Sequence, residues 1–135
     1  MEKVIVEIDG NNFHTLEGFY DEISRMMIPG ASWGSNLDKF NDILRGGFGT
    51  PDEGFIILWR NSTISQQRLG YSETVRQLEQ RLLRCHYTNR PSVEIELMQA
   101  RGSQGSTVFD WLVEIIRIHG NGGKEAEDGV ELRLE

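Results

Sequence analysis

The chain has little of what would tie it to an oxidising compartment, a membrane or a polyanion. It holds one cysteine, Cys85, among 135 residues, so no internal disulfide can form. Even with His86 beside it, no second cysteine is present to build a metal-binding set. No apolar run approaches the roughly 18 residues that a membrane-spanning helix needs, and residues 1–10 lack the basic and apolar regions of a signal peptide. The expectation is a protein of the reducing cytoplasm that stays where it is made. Basic residues are also short: 14 Lys and Arg stand against 21 Asp and Glu, for a formal charge of -7 and a pI near 5.0. A polyanion must be met by clustered Lys and Arg that displace its counterions, so this balance disfavours direct nucleic-acid binding. A basic protein partner fits the same charge far better.

What is present is ordinary for a folded soluble chain: 38% hydrophobic and 26% charged residues, in a length that buries one core without staples. Residues 1–135 are expected to form a single domain. Val4, Ile5, Val6 and Ile8 make a short β-branched strand closed by the turn signal Asp9-Gly10-Asn11-Asn12. Leu16, Phe19, Tyr20, Ile23 and Met27 form a helical stripe with Thr15 as N-cap. A second helix is expected from near Ser35, where Ser35 and Asp38 have capping-box spacing, to Gly46-Gly47. The unbroken run Phe55 to Trp59 reads as a strand covered on both faces of a parallel sheet.

Residues 61–69 have room for one or two helical turns, and residues 72–84 form a helix through Val75, Leu78 and Leu82. Residues 91–101 carry signals of both strand and helix, with helix preferred. Residues 107–119 form a helix with a Thr107/Asp110 capping box and Gly120 as its stop. Val130, Leu132 and Leu134 alternate with charges as a last strand. The glycine-rich stretches 102–105 and 120–123 lack the spacing of a phosphate-binding loop and read as surface loops. Strand, two helices, strand, several helices, strand implies a small parallel sheet with right-handed helical crossovers, an α/β fold.

Chemistry concentrates on the second helix. At about 100° per residue, Leu37, Phe40, Ile43 and Leu44 fall on one side and Asp38 and Asp42 on the other. Like charges at i and i+4 cost a few tenths of a kcal/mol, so this pair asks for an external cation. The plainer reading is that Asp38 favours the helix N-terminus and Asp42 is merely solvated. A metal-dependent hydrolase built on the same two acids lacks a second ligand set, and no specific metal binding is expected. Cys85 and His86 are adjacent and have no orienting acid nearby, which argues against a nucleophile and its base. Phe55 and Trp59 read as core, Trp111 as core or core edge, and Trp33, in a loop without apolar periodicity, as suited to a partner as to the core. His14, His86 and His119 are scattered and read as structural or exposed.

The stretch from Trp33 through Gly34, Asn36-Leu37-Asp38, Phe40 and Asp42 to Leu44 resembles the motif of the barstar family of bacterial ribonuclease inhibitors. There an aromatic residue and a glycine precede Asn-Leu-Asp, an apolar residue, Asp and a closing leucine. The flanking order matches too: the Gly10 turn, the first helix, Gly46, Pro51 and Trp59-Arg60 fall where the family has equivalents, so residues 3–60 are well covered. Residues 106–134 match only in kind, and 71–105 read as a helical insertion.

The resemblance implies a three-stranded parallel sheet flanked by helices. It also implies a non-enzymatic chain, monomeric when free and without cofactors, that plugs the active site of a basic, barnase-like ribonuclease. It points to Trp33, Gly34, Asn36, Asp38, Asn41, Asp42 and Gly46 as partner-binding. Asp42 stands where the family's phosphate mimic stands, and Asp38 one turn earlier. A carboxylate mimics phosphate for arginine because it accepts paired charge-assisted hydrogen bonds. The sequence departs from the family at Ser32 and Asn41, where many members have aromatic residues, and at Ile118, where the last helix carries glutamate. These departures leave open an immunity or antitoxin protein acting on a different toxin nuclease.

Overall fold

The computed structural model describes residues 3–27, 36–45, 54–120 and 122–135. Three parallel strands, β1 (Val4–Asp9), β2 (Phe55–Arg60) and β3 (Glu131–Leu134), form one sheet in the order β1-β2-β3. Between them run α1 (Leu16–Met27), α2 (Leu37–Leu44), α3 (Ser62–Arg68), α4 (Tyr71–Arg84), α5 (Arg90–Arg101) and α6 (Val108–Ile118). Residues 71–105 are thus helical, α3 fills the segment after β2, and the two-way signal at 91–101 resolves as helix. Pro91 supports that outcome, because its fixed φ and missing N–H suit a first helical turn. None of the described helices is long and apolar enough to cross a membrane.

The register explains the burial. Val6, Ile57 and Leu132 are cross-strand partners, as are Ile8 and Trp59, and these residues face the helices. Trp59 sits at the centre with its ring against Phe13, Phe19 and Phe109, and its Nε1–H donates to Ser65 Oγ at 2.9 Å. The alternate residues Ile5, Glu7, Glu131 and Arg133 are exposed on the opposite face, where Arg60 pairs with Glu7. This corrects the expectation of a sheet covered on both faces. Ile56 and Leu58 are instead shielded by their strand neighbours, which two edge strands can do for a single central one.

Two caps follow the sequence. Thr15 Oγ1 accepts from Gly18 N at 3.1 Å, and Thr107 and Asp110 close a reciprocal capping box on α6 at 3.3 and 2.9 Å. Two others do not. α4 lends Glu73, which accepts from Leu16 N at 2.8 Å, and Thr74, which accepts from Val108 N at 2.9 Å. Side chains of one helix thereby satisfy the first orphan donors of two others. Glu73 and Thr74 are both buried, so α4 is built into the core side of the fold. Its outer face forms a second apolar cluster with α5 through Leu78, Leu97 and Ala100, against which Trp111 also packs.

The glycine after α6 corrects another expectation. Gly120 is buried, and a Cβ there would stand 2.4 Å from the Val130 carbonyl oxygen, so glycine is required by close backbone approach. His119 and Val130 are joined by a backbone hydrogen bond of 2.9 Å, which brings the start of this stretch inside the fold.

Candidate partner-binding site

α2 is short and strongly two-sided. Phe40, Ile43 and Leu44 are buried, with Phe40 edge-on to Phe19 at 5.2 Å, and Leu37 packs partly against the same core. Asp38 and Lys39 are exposed, while Asp42 is half-buried. Burying three large apolar side chains, each worth about 1.5–3 kcal/mol, holds the helix against the core whatever its polar face does. Asp38 and Asp42 therefore come together one turn apart on the solvent side, as expected. No hydrogen bond or ion pair to Asp38 forms among the described residues. Asp42 Oδ1 lies 3.4 Å from Arg45 Nη1, a loose exposed contact.

The N-cap is Asn36, whose side-chain oxygen accepts from Lys39 N at 2.8 Å. This displaces the expected Ser35/Asp38 capping box by one residue. Asn and Ser cap about equally well, so two such residues in succession leave the start of a helix ambiguous until its first buried contact is fixed. Trp33, Gly34 and Gly46, the other expected partner-binding residues, lie outside the described residues, as does Ser35.

Asn41 behaves differently from its acidic neighbours. Its Oδ1 lies 2.6 Å from Nε2 of His119, which is fully buried at the end of α6. The other ring nitrogen, Nδ1, lies 2.6 Å from Asp128 Oδ2 and 3.4 Å from Glu125 Oε2. Glu125 in turn is held by Arg45, with Nη2 at 2.7 Å and Nε at 3.0 Å from Oε1. The Glu125 hydrogen bond pushes the Arg45 guanidinium further above its already high ordinary value, so the arginine stays charged. The C-terminal half of α2 is therefore fastened through Asn41 and Arg45 to the α6–β3 connection. His119, Glu125 and Asp128 offer ligand atoms within 4.8 Å of one another.

Sequence reasoning found the acidic side of α2 but not this network. His119 sits in the chain as an isolated histidine, and Glu125 and Asp128 lie in a segment with no periodicity. The only hint was three acids, Glu125, Glu127 and Asp128, within the ten residues after a histidine at a helix end.

A family model described as Barstar (barnase inhibitor) matches residues 4–97. The chain belongs to the barstar family. The barstar match runs from β1 through α2 and β2 and into α5, so it includes the acidic face described above. A comparison with individual curated proteins gives no match. Membership in the barstar family points to a barnase-inhibitor-like function carried out on a protein partner, and not to catalysis.

Proposed function

We propose that this chain inhibits a basic ribonuclease of the barnase kind by inserting α2 and the loop before it into the enzyme's substrate cleft. Asp42 takes the place of the scissile phosphate among the enzyme's cationic side chains, and Asp38 adds a second carboxylate one turn away. Gly34 and Asn36 let the backbone at the helix start approach closely, while Trp33 and Gly46 border the contact. The chain acts as one unit over residues 1–135, as a cytoplasmic bacterial protein that is monomeric when free and needs no cofactor.

The observation that carries this reading is the separation of roles on α2. Its apolar side is fixed in the core by Phe40, Ile43 and Leu44, and among the described residues its carboxylates have only a loose arginine contact. Like charges one turn apart do not stabilise a helix, so their placement is best accounted for by a cationic partner. The net charge of -7 supports the same partner class, because it draws a basic enzyme in before contact. Asn41 is reassigned within this reading. Its side chain is engaged by His119, so it holds α2 in place rather than reaching the enzyme.

The test is capture of the partner from the native host at low salt, followed by inhibition assays. Recovery of a basic ribonuclease whose activity the chain blocks supports the proposal. Recovery of a deoxyribonuclease or other toxin nuclease would replace it with the immunity-protein reading.

A further inference from the structure

We propose that His119, Glu125 and Asp128 form a binding site for a divalent transition-metal ion of the zinc class, with α2 supplying the hydrogen bonds that orient two of the three ligands. This departs from the sequence expectation of no specific metal binding, which considered Asp38 and Asp42. Nothing in the inhibitor reading requires such a site, and it rests on a different set of residues.

The chemistry starts from the imidazole. Nε2 faces the Asn41 side-chain oxygen at 2.6 Å, so the proton of a neutral ring belongs on Nε2, donated to Asn41. With that proton on Nε2, Nδ1 can turn its lone pair on a metal ion held between it and two carboxylate oxygens, Asp128 Oδ2 at 2.6 Å and Glu125 Oε2 at 3.4 Å. Without the ion, the 2.6 Å contact is an Nδ1–H hydrogen bond to Asp128. Three potential ligand atoms within 4.8 Å of one another, one of them on a fully buried ring, suit a cation between them. A proton on Nδ1 serves one carboxylate at a time. A metal ion accepts all three.

The geometry suits such an ion. Two ligands on a tetrahedral zinc, each at about 2.0–2.1 Å, stand about 3.3 Å apart. The spacing of 3.4 Å between Nδ1 and Glu125 Oε2 already has that value. Asp128 must open by about 0.7 Å from its hydrogen-bonding position to match it. One nitrogen and two carboxylates leave a fourth position for water, and a nitrogen ligand favours zinc and its neighbours over magnesium or calcium.

The outer atoms of the ligands are also occupied as in built metal sites, where ligating histidines and carboxylates are held from behind. Asn41 takes the far nitrogen of His119, and Arg45 takes Oε1 of Glu125, leaving Oε2 for the cluster. The backbone fixes the same loop through Glu125 N to Ile118 O at 2.9 Å and Val130 N to His119 O at 2.9 Å.

The experiment titrates Zn²⁺ into the intact, chelator-stripped chain by calorimetry, with thermal unfolding measured in parallel and no nuclease present, so its failure is separate from failure of the inhibitor reading. The expected result is one ion per chain at micromolar affinity or tighter, with a rise in unfolding temperature that a chelator reverses. Because His119→Ala empties a buried position, the decisive variants are Glu125→Gln and Asp128→Asn, which keep shape. Each should weaken binding at least about tenfold, and Asn41→Ala by about 10–100-fold through loss of ligand orientation. His86→Ala, at the exposed histidine next to Cys85, should change nothing. Absence of binding, binding that survives both carboxylate variants, or binding abolished by His86→Ala would each overturn the proposal.

Discussion

His119 Nε2 and Asn41 Oδ1 lie 2.6 Å apart, joining the buried end of α6 to the middle of α2. The contact makes Asn41 a fastening of the acidic helix. Asn41→Ala should cost about 1–3 kcal/mol of stability, the penalty for leaving a buried polar group without its partner. Urea unfolding of the free chain measures this. A variant that unfolds like the parent but binds the nuclease less tightly would return Asn41 to the contact surface.

Glu73 should matter as much to stability as any core residue. It is buried and serves Leu16 N at the start of α1 together with Arg76 and Gln77. Glu73→Ala strips the partner from a buried N–H and from Arg76, and should cost about 3 kcal/mol. Chemical denaturation checks the value. A loss below about 0.5 kcal/mol would mean that α4 is a detachable addition to the sheet.

Acid should weaken the fold through Asp9 and Glu17. Hydrogen bonds from Asn11 N and the Asn61 side chain hold the Asp9 carboxyl below its ordinary 3.8. At Glu17 partial burial pushes upward, but the bonds from Arg76 and Gln77 outweigh it and the net shift from 4.5 is downward. For both groups the folded state binds protons less readily than the unfolded one. The stability they contribute is complete above the unfolded value and is lost as pH falls through the lower, folded one. Glu17→Gln should therefore lower stability slightly near neutrality, converge with the parent well below pH 4.5, and so flatten the acid limb of the curve. The effect is small because Glu17 is exposed and Asp9 only partly buried. An equal offset at every pH would refute the assignment.

Much of this architecture was legible in the chain. Phe40, Ile43 and Leu44 against Asp38 and Asp42 is a pattern with a period, and the Thr107/Asp110 cap is a pair at fixed spacing, so both could be read without coordinates. The true cap of α2 could not be told from Ser35, because two good capping residues stand side by side. Glu73 and Thr74 look like the first turn of an amphipathic helix, and nothing local announces that they complete two other helices. His119, Glu125 and Asp128 meet only because Gly120 lets the chain turn back against Val130. The uncovered sheet face was misread because an unbroken apolar run does not say whether helices or neighbouring strands shield it.

Association with the nuclease should slow steeply with salt. A charge of -7 steers a basic partner over distances comparable to the Debye length, about 10 Å at 0.1 M. Stopped-flow association rates at low and moderate ionic strength check this. Equal rates would remove charge steering from the account.

The most direct test is Asp42→Ala, assayed for inhibition of the captured ribonuclease and for thermal unfolding of the free chain. The barnase–barstar pair itself sets the scale for such an acidic hot spot, so the expectation is taken from the family. Affinity should fall by at least about 2 kcal/mol, roughly thirtyfold, because the enzyme's cationic groups lose their partner in a desolvated cleft. Stability should change by less than about 0.5 kcal/mol, since among the described residues only a loose contact with Arg45 and a repulsion with Asp38 are removed. Undiminished inhibition by Asp42→Ala would contradict the phosphate-mimic assignment outright.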